Sequence, residues 1–188
     1  LDVNVGLPEI DEPALMEEAI TGIQAIIDLP LQIDTSDGEA MERALRCYNG
    51  KPMLNSVNGK KESMEMVFPL AKKYGAVVVC LCLDEGGIPE TVEGRIAVAR
   101  KIVDTAASYG IPKKNLVMDA LVLTISTGQD NAMITLETLR KLRYEMGLHT
   151  VLGVSNISFG LPSRPVINAH FYTMAMQAGL SAGIVNPS

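Results

Sequence analysis

Five polar residues stand where chemistry would need them: Asp34, Asn55, Asp119, Asn156 and Asn186 each end a short apolar run, at residues 31–34, 53–55, 116–119, 151–156 and 182–186. Two carboxylates and three carboxamides, with no histidine or cysteine among them, suit recognition of a flat polar heterocycle carrying several N–H donors and carbonyl acceptors. Buried groups matched in this way discriminate strongly, because a wrong ligand leaves them unpaired. Each residue taken singly has a plainer use, since strand-end Asp and Asn also cap helices and satisfy loop amides. Ser36 and Asp37, which follow Asp34 closely, are natural caps of this kind.

Residues 153–165 form the least ordinary stretch, a run of small residues that includes Ser155 and closes on Arg164. Long loops after strands more often bind than merely connect. Arg164 could meet a ligand carboxylate through two parallel hydrogen bonds, or simply start the next helix. Other chemistries fit less well. The two histidines, His149 and His170, show no metal-ligand spacing, so no metal site is expected. Ser155 lies in no GxSxG elbow. Cys80 and Cys82 alternate onto one face of an apolar run and read as core residues. Asp84, followed by Glu85, Gly86 and Gly87, reads as a glycine-rich turn.

The elements that must position these residues repeat. Seven apolar runs recur about every 30 residues, with polar ends at positions 2, 34, 55, 84, 119, 156 and 186. Residues 76–83 are apolar on both faces, as expected of a strand covered on two sides. Between the runs, residues 13–28, 39–48, 62–74, 92–109, 132–146 and 165–178 carry apolar side chains at 3- and 4-residue spacing. Five of these helices are followed by glycine, at 50, 75, 110, 147 and 179. Strand, helix, glycine, strand describes an α/β sheet of parallel strands. A (β/α)8 TIM barrel of about 250 residues has about 31 per unit, which matches the spacing. No glycine-rich phosphate loop follows any run, which removes the main marker of an open nucleotide-binding sheet. With seven runs, the barrel is expected to be incomplete, lacking its first strand–helix unit and last helix. Residues 1–188 are then a single domain and a fragment of a longer chain, whose two bare sheet edges invite association such as a homodimer.

The charge balance of 16 Lys and Arg against 22 Asp and Glu, net −6, argues against nucleic acid and anionic membranes as partners. No apolar run approaches the roughly 18 residues of a membrane span. Three cysteines without a CxxC pair suit a reducing compartment, so a cytoplasmic location is expected.

Leu1-Asp2-Val3-Asn4-Val5-Gly6, Ile33-Asp34-Thr35-Ser36, Leu54-Asn55-Ser56-Val57-Asn58, Met118-Asp119 and Gly153-Val154-Ser155-Asn156-Ile157-Ser158, in this order, resemble the pterin-binding barrels. Within them the chain is similar to methyltetrahydrofolate:corrinoid methyltransferases and to the folate domain of cobalamin-dependent methionine synthase, from the second barrel strand to the eighth. The resemblance implies that Asp34, Asn55 and Asp119 bind the pterin ring, and that Asn156 sits near N5, the nitrogen bearing the methyl. Asn cannot supply a proton, so its implied role is to steady protonated N5 through its carbonyl. Ser155 and Arg164 are implied contacts to the ring and folate tail. The substrate would be tetrahydrofolate or 5-methyltetrahydrofolate, and the partner a corrinoid protein or cobalamin-binding domain docking over an open mouth. Dihydropteroate synthases share the fold but carry a basic serine–arginine motif where this chain has Ser155-Asn156-Ile157-Ser158. That enzyme and a non-catalytic folate-binding domain are the alternatives. Gly86-Gly87 and residues 124–127 fall in loops expected to vary.

Overall fold

The computed structural model describes residues 1–185. Asn186, one of the five strand-end candidates, lies outside them. Seven strands alternate with six helices: β1 (Asp2–Val3), α1 (Glu12–Gln24), β2 (Gln32–Asp34), α2 (Gly38–Cys47), β3 (Met53–Asn58), α3 (Lys61–Tyr74), β4 (Val77–Leu81), α4 (Val92–Ser108), β5 (Leu116–Asp119), α5 (Asn131–Arg140), β6 (His149–Gly153), α6 (Arg164–Gln177) and β7 (Ala182–Ile184). The strands form one parallel sheet in the order of the sequence. Side chains from every strand, Asp2 and Gln32 through Ala182 and Ile184, line one cavity of about 500 Å³ at the amino-terminal end. The sheet is therefore curled into a nearly closed barrel, an incomplete (β/α)8 TIM barrel.

Alternation along the strands sorts the core into two layers. Val78, Cys80, Leu116, Met118 and Leu152 pack outward against Phe68, Ile102, Leu139 and the other helix residues. Val79, Val117 and Val151 meet inside the barrel with Met53, Val77, Leu81 and Ile184. Asp34, Asn55 and Asp119 share the inward parity of these residues, which fixes where their side chains stand.

Local chemistry sets the helix limits. Asp37 caps α2, its Oδ1 accepting from the amides of Glu39 at 2.8 Å and Ala40 at 2.9 Å. Asp11 and Thr91 do the same for α1 and α4. Gly75 takes φ +70° after α3, and its amide bonds the carbonyl of Ala71, a conformation that would strain any other residue.

Three expectations need correction. β6 runs from His149 to Gly153, so Asn156 is not a strand end; it sits in a 3-10 turn spanning Val154–Ser158. Asn55 lies inside β3, which continues to Asn58 with a register shift between Asn55 and Val57. The fifth helix ends in a π turn, Lys141–Glu145. Asp84 closes a tight turn with Gly87, His149 opens β6 at the end away from the mouth, and His170 is exposed on α6.

Candidate active site

Asp34 and Asn55 stand side by side on β2 and β3 as register partners. Asp34 is half-buried, and Oδ2 accepts from Asn4 Nδ2 at 3.0 Å, while Asn4 Oδ1 accepts from the amide of Gly6. Burial pushes the Asp34 carboxyl above the ordinary carboxylate range; the Asn4 bond pulls it back, and the charges of Asp2 and Glu12 push it up again. Asn4 is thus part of the polar rim, although its sequence context only marks a strand.

Asp119 ends β5, opposite Leu81, and is 8% exposed. Its Oδ1 accepts from the amide of Leu121 at 2.8 Å, and Leu121 takes φ +63°, so the chain turns back sharply to make that bond. Burial pushes the carboxyl up to about 7; the Leu121 hydrogen bond and the charge of Arg95 oppose the rise. Arg95 comes from the first turn of α4 and is fully buried. Its Nη1 donates to the carbonyls of Ala120 at 2.9 Å and Leu121 at 2.8 Å, and its Nε to Pro89. Burial lowers its pKa, while Cys82 and Asp119 raise it. The neighbouring Cys82 is buried with its thiol pushed up to about 12, so it stays protonated and unreactive.

Asn156 reaches the same rim from the turn after β6. A Cβ built on Gly153 would come within 3.2 Å of Asn156 Nδ2, so the amide lies folded over Gly153. Gly153 has the inward parity of Val151, two residues before it on β6. A side chain at 153 would press the amide aside by a few tenths of an ångström. The turn is tied down from the loop after β5: Thr124 Oγ1 donates to the carbonyls of Ile157 at 3.2 Å and Phe159 at 2.8 Å, and the amide of Ile125 to that of Ile157 at 3.1 Å. Residues 124–127, expected to vary freely, carry this brace.

Ser155 and Arg164 line a cavity of about 580 Å³ between the turn and α6, with Asn168 and Tyr172. Arg164 does not offer the free fork expected of it. Nε donates to Ser158 Oγ at 3.0 Å and Nη2 to the Ser155 carbonyl at 3.1 Å, and the guanidinium stacks 4.7 Å over Phe159. The Nε–Nη2 edge of the fork is spent on the loop. The turn is therefore not without a cation, although its own residues are neutral. No group of three or more metal-ligating side chains occurs among the described residues.

The parts in hand are a half-buried and a buried carboxylate, the carboxamide of Asn55 on the barrel wall, that of Asn4 bonded to Asp34, and that of Asn156 over Gly153. Such a set accepts ring N–H groups and donates to ring carbonyls. The family model described as pterin binding enzyme matches residues 4–186. Methionine synthase of Mycobacterium leprae (strain TN) is 34% identical over 185 residues, 91% of this chain and 15% of that protein. Methylcorrinoid:tetrahydrofolate methyltransferase of Eubacterium limosum is 28% identical over 194 residues, 100% of this chain and 70% of that protein. The chain spans 15% and 17% of the two mycobacterial methionine synthases it matches. Among solved structures, dihydropteroate synthase from Thermus thermophilus in complex with 6HMPPP superposes with a TM-score of 0.74 at 21% identity, covering 100% of this chain and 76% of that one. Yersinia pestis DHPS with a pterine-sulfa conjugate gives 0.73 at 16%, covering 95% and 71%. At such identities the likeness speaks for the barrel fold alone. By the match across nearly all its residues, this chain belongs to the pterin-binding enzyme family.

Proposed function

We propose that the chain moves a methyl group between N5 of 5-methyltetrahydrofolate and the cobalt of a corrinoid held by a partner protein or domain. The observation that carries this reading is the amide of Asn156 lying over Gly153, on the rim of the same barrel whose inner wall bears Asp34, Asn55 and Asp119. The identity to a methionine synthase and to a methylcorrinoid:tetrahydrofolate methyltransferase supports it.

In this reading Asp119, ionised, accepts from the ring amino and N–H groups, while Asp34 and Asn55 fix the ring along its edge. The methyl leaves N5 without its bonding electrons, so N5 keeps the pair. A neutral amine leaves far more readily than an amide-like anion, and N5 must therefore gain a proton first. Asn156 has no proton to give. Its carbonyl accepts from the new N5–H and so favours the charged form, an interaction made only as charge develops. Water supplies the proton. The partner's corrinoid supplies the cobalt centre that exchanges the methyl group. Ser155 and Arg164 meet the ring and the folate tail.

A dihydropteroate synthase is the second reading, and the specific observation favouring it is Arg164 brought back against Ser155 and Ser158. One set of assays separates the readings. With 5-methyltetrahydrofolate and cobalamin reduced to Co(I), the methyltransferase forms methylcobalamin, followed by absorbance. Formation of pteroate from pterin pyrophosphate and aminobenzoate would overturn that assignment in favour of the synthase. Folate affinity without either turnover would leave a binding domain.

A further inference from the structure

Behind the site lies a charge that packing alone does not require. Arg95 is 0% exposed, and its Nη2 has no hydrogen-bond partner among the described residues. Its acceptors are neutral: the carbonyls of Pro89, Ala120 and Leu121 and, at 3.3 Å, Thr135 Oγ1. A buried guanidinium with an unpaired N–H and no carboxylate bonded to it is costly, and an apolar side chain of similar volume would fill the space more cheaply. Two of its acceptors are the carbonyls directly after Asp119. Those two residues form the turn that returns the Leu121 amide to Asp119 Oδ1. Oδ2 accepts no hydrogen bond from the described residues.

We propose that Arg95 is a positioning residue for Asp119: clamping the Ala120 and Leu121 carbonyls from the helix layer, it holds the left-handed turn whose amide grips one carboxylate oxygen and leaves the other for the ligand. The inference rests on the reading of Asp119 as a pterin-binding group. The groups around that carboxylate are few. Beside Arg95 from α4 stands Cys82 after β4, which stays protonated; β6 contributes Val151, and α5 contributes Thr135 at the Leu121 carbonyl, none of which titrates near neutrality.

The test uses the whole chain as wild type, Arg95→Lys and Arg95→Met, each first checked for a cooperative thermal transition. The Asp119 carboxyl is titrated without ligand by carbon-13 NMR, and 5-methyltetrahydrofolate affinity is measured at about pH 7.5. Lysine keeps the charge but cannot span both carbonyls. Its Asp119 midpoint should rise as the Leu121 bond loosens, and affinity should fall about tenfold, the worth of one ordinary hydrogen bond. Methionine should raise the midpoint further. A folded variant with the wild-type midpoint overturns the proposal, and Arg95→Lys decides alone should Arg95→Met fail to fold. Because the titration needs no ligand, wild-type protein that binds no folate would refute the functional reading while leaving this test intact.

Discussion

Replacing Asp119 by Asn should make the protein more stable while making its site worse. The folded carboxyl holds its proton up to about pH 7, against an ordinary value of 3.8. Between these two values the folded state binds the extra proton, so stability falls as pH rises, and the whole loss is present above about pH 8. Three units at about 1.4 kcal/mol each put the loss near 4 kcal/mol. An Asn at this position still offers Oδ1 to the Leu121 amide and carries no charge to desolvate. Stabilisation of about 2–4 kcal/mol is therefore expected near pH 8, shrinking to about 1–1.5 kcal/mol near pH 5, where the native carboxyl is neutral and only the unfolded one is ionised. Urea unfolding of both proteins by circular dichroism, from about pH 5 to 8.5, measures it. The difference between them cancels the contributions of Asp34 and every other shared group. A constant difference across that range, or an Asn variant less stable near pH 8, would refute the argument that burial dominates this carboxyl. Pterin affinity should weaken in the same variant by about 1–3 kcal/mol, through loss of a charged acceptor.

Three further outcomes are expected. Asn156→Ala should cut methyl transfer about a hundredfold with folate affinity changed less than about threefold, read by stopped-flow turnover and calorimetric titration; equal losses in both would make Asn156 a binding group only. Gly153→Ala places a methyl 3.2 Å from the Asn156 amide. Turnover should fall about tenfold with less than about 1 kcal/mol change in stability, the amide giving way rather than the strand. Thr124→Val removes the donor to Ile157 and Phe159. It should cost about 1 kcal/mol in urea unfolding and lower turnover without moving the pH dependence that Asp119 imposes.

The repeating unit was legible because two independent signals agree on it. Apolar runs buried on both faces mark the strands, and glycines such as Gly75 mark where helices must stop. Asp34, Asn55 and Asp119 were legible as site candidates because each is the polar residue that closes an apolar run, at the end of the strands where barrel sites assemble; their inward parity came only from the structure. Asn156 was found as a residue but misplaced as a strand end. Val154 continues the apolar run beyond Gly153, and a buried residue in a 3-10 turn looks the same in sequence as one in a strand. Arg95 was missed although a signal exists. It falls on the buried stripe of α4 with Ile96, Val98, Ala99, Ile102 and Ala106, where a charged residue is out of place. Asn4 and Thr124 left no such signal. Their importance arises from the partners that the barrel brings to them, Asp34 30 residues away and Ile157 33 residues away.

These long-range partners explain how a rim built from separate loops can hold geometry. Asp119 ends β5, Asn156 lies in the turn after the adjacent β6, and the segment between β5 and α5 touches both Asp119 and that turn. At its start, Leu121 grips Asp119 under the hold of Arg95; a few residues later, Thr124 and Ile125 grip the turn that carries Asn156. One loop therefore sets the position of Asp119, the carboxylate proposed to bind the ring, and of Asn156, the amide proposed to sit over N5. The distance between these two groups must match a rigid bicyclic ring, so fixing both from one segment leaves less freedom than anchoring each to its own strand. Thr135 completes the chain of contacts, bonding the Leu121 carbonyl from α5 while also receiving Arg95. Changes to Arg95 and to Thr124 should for this reason couple when combined, the double variant losing less turnover than the product of the single losses, although neither side chain is expected to touch the substrate.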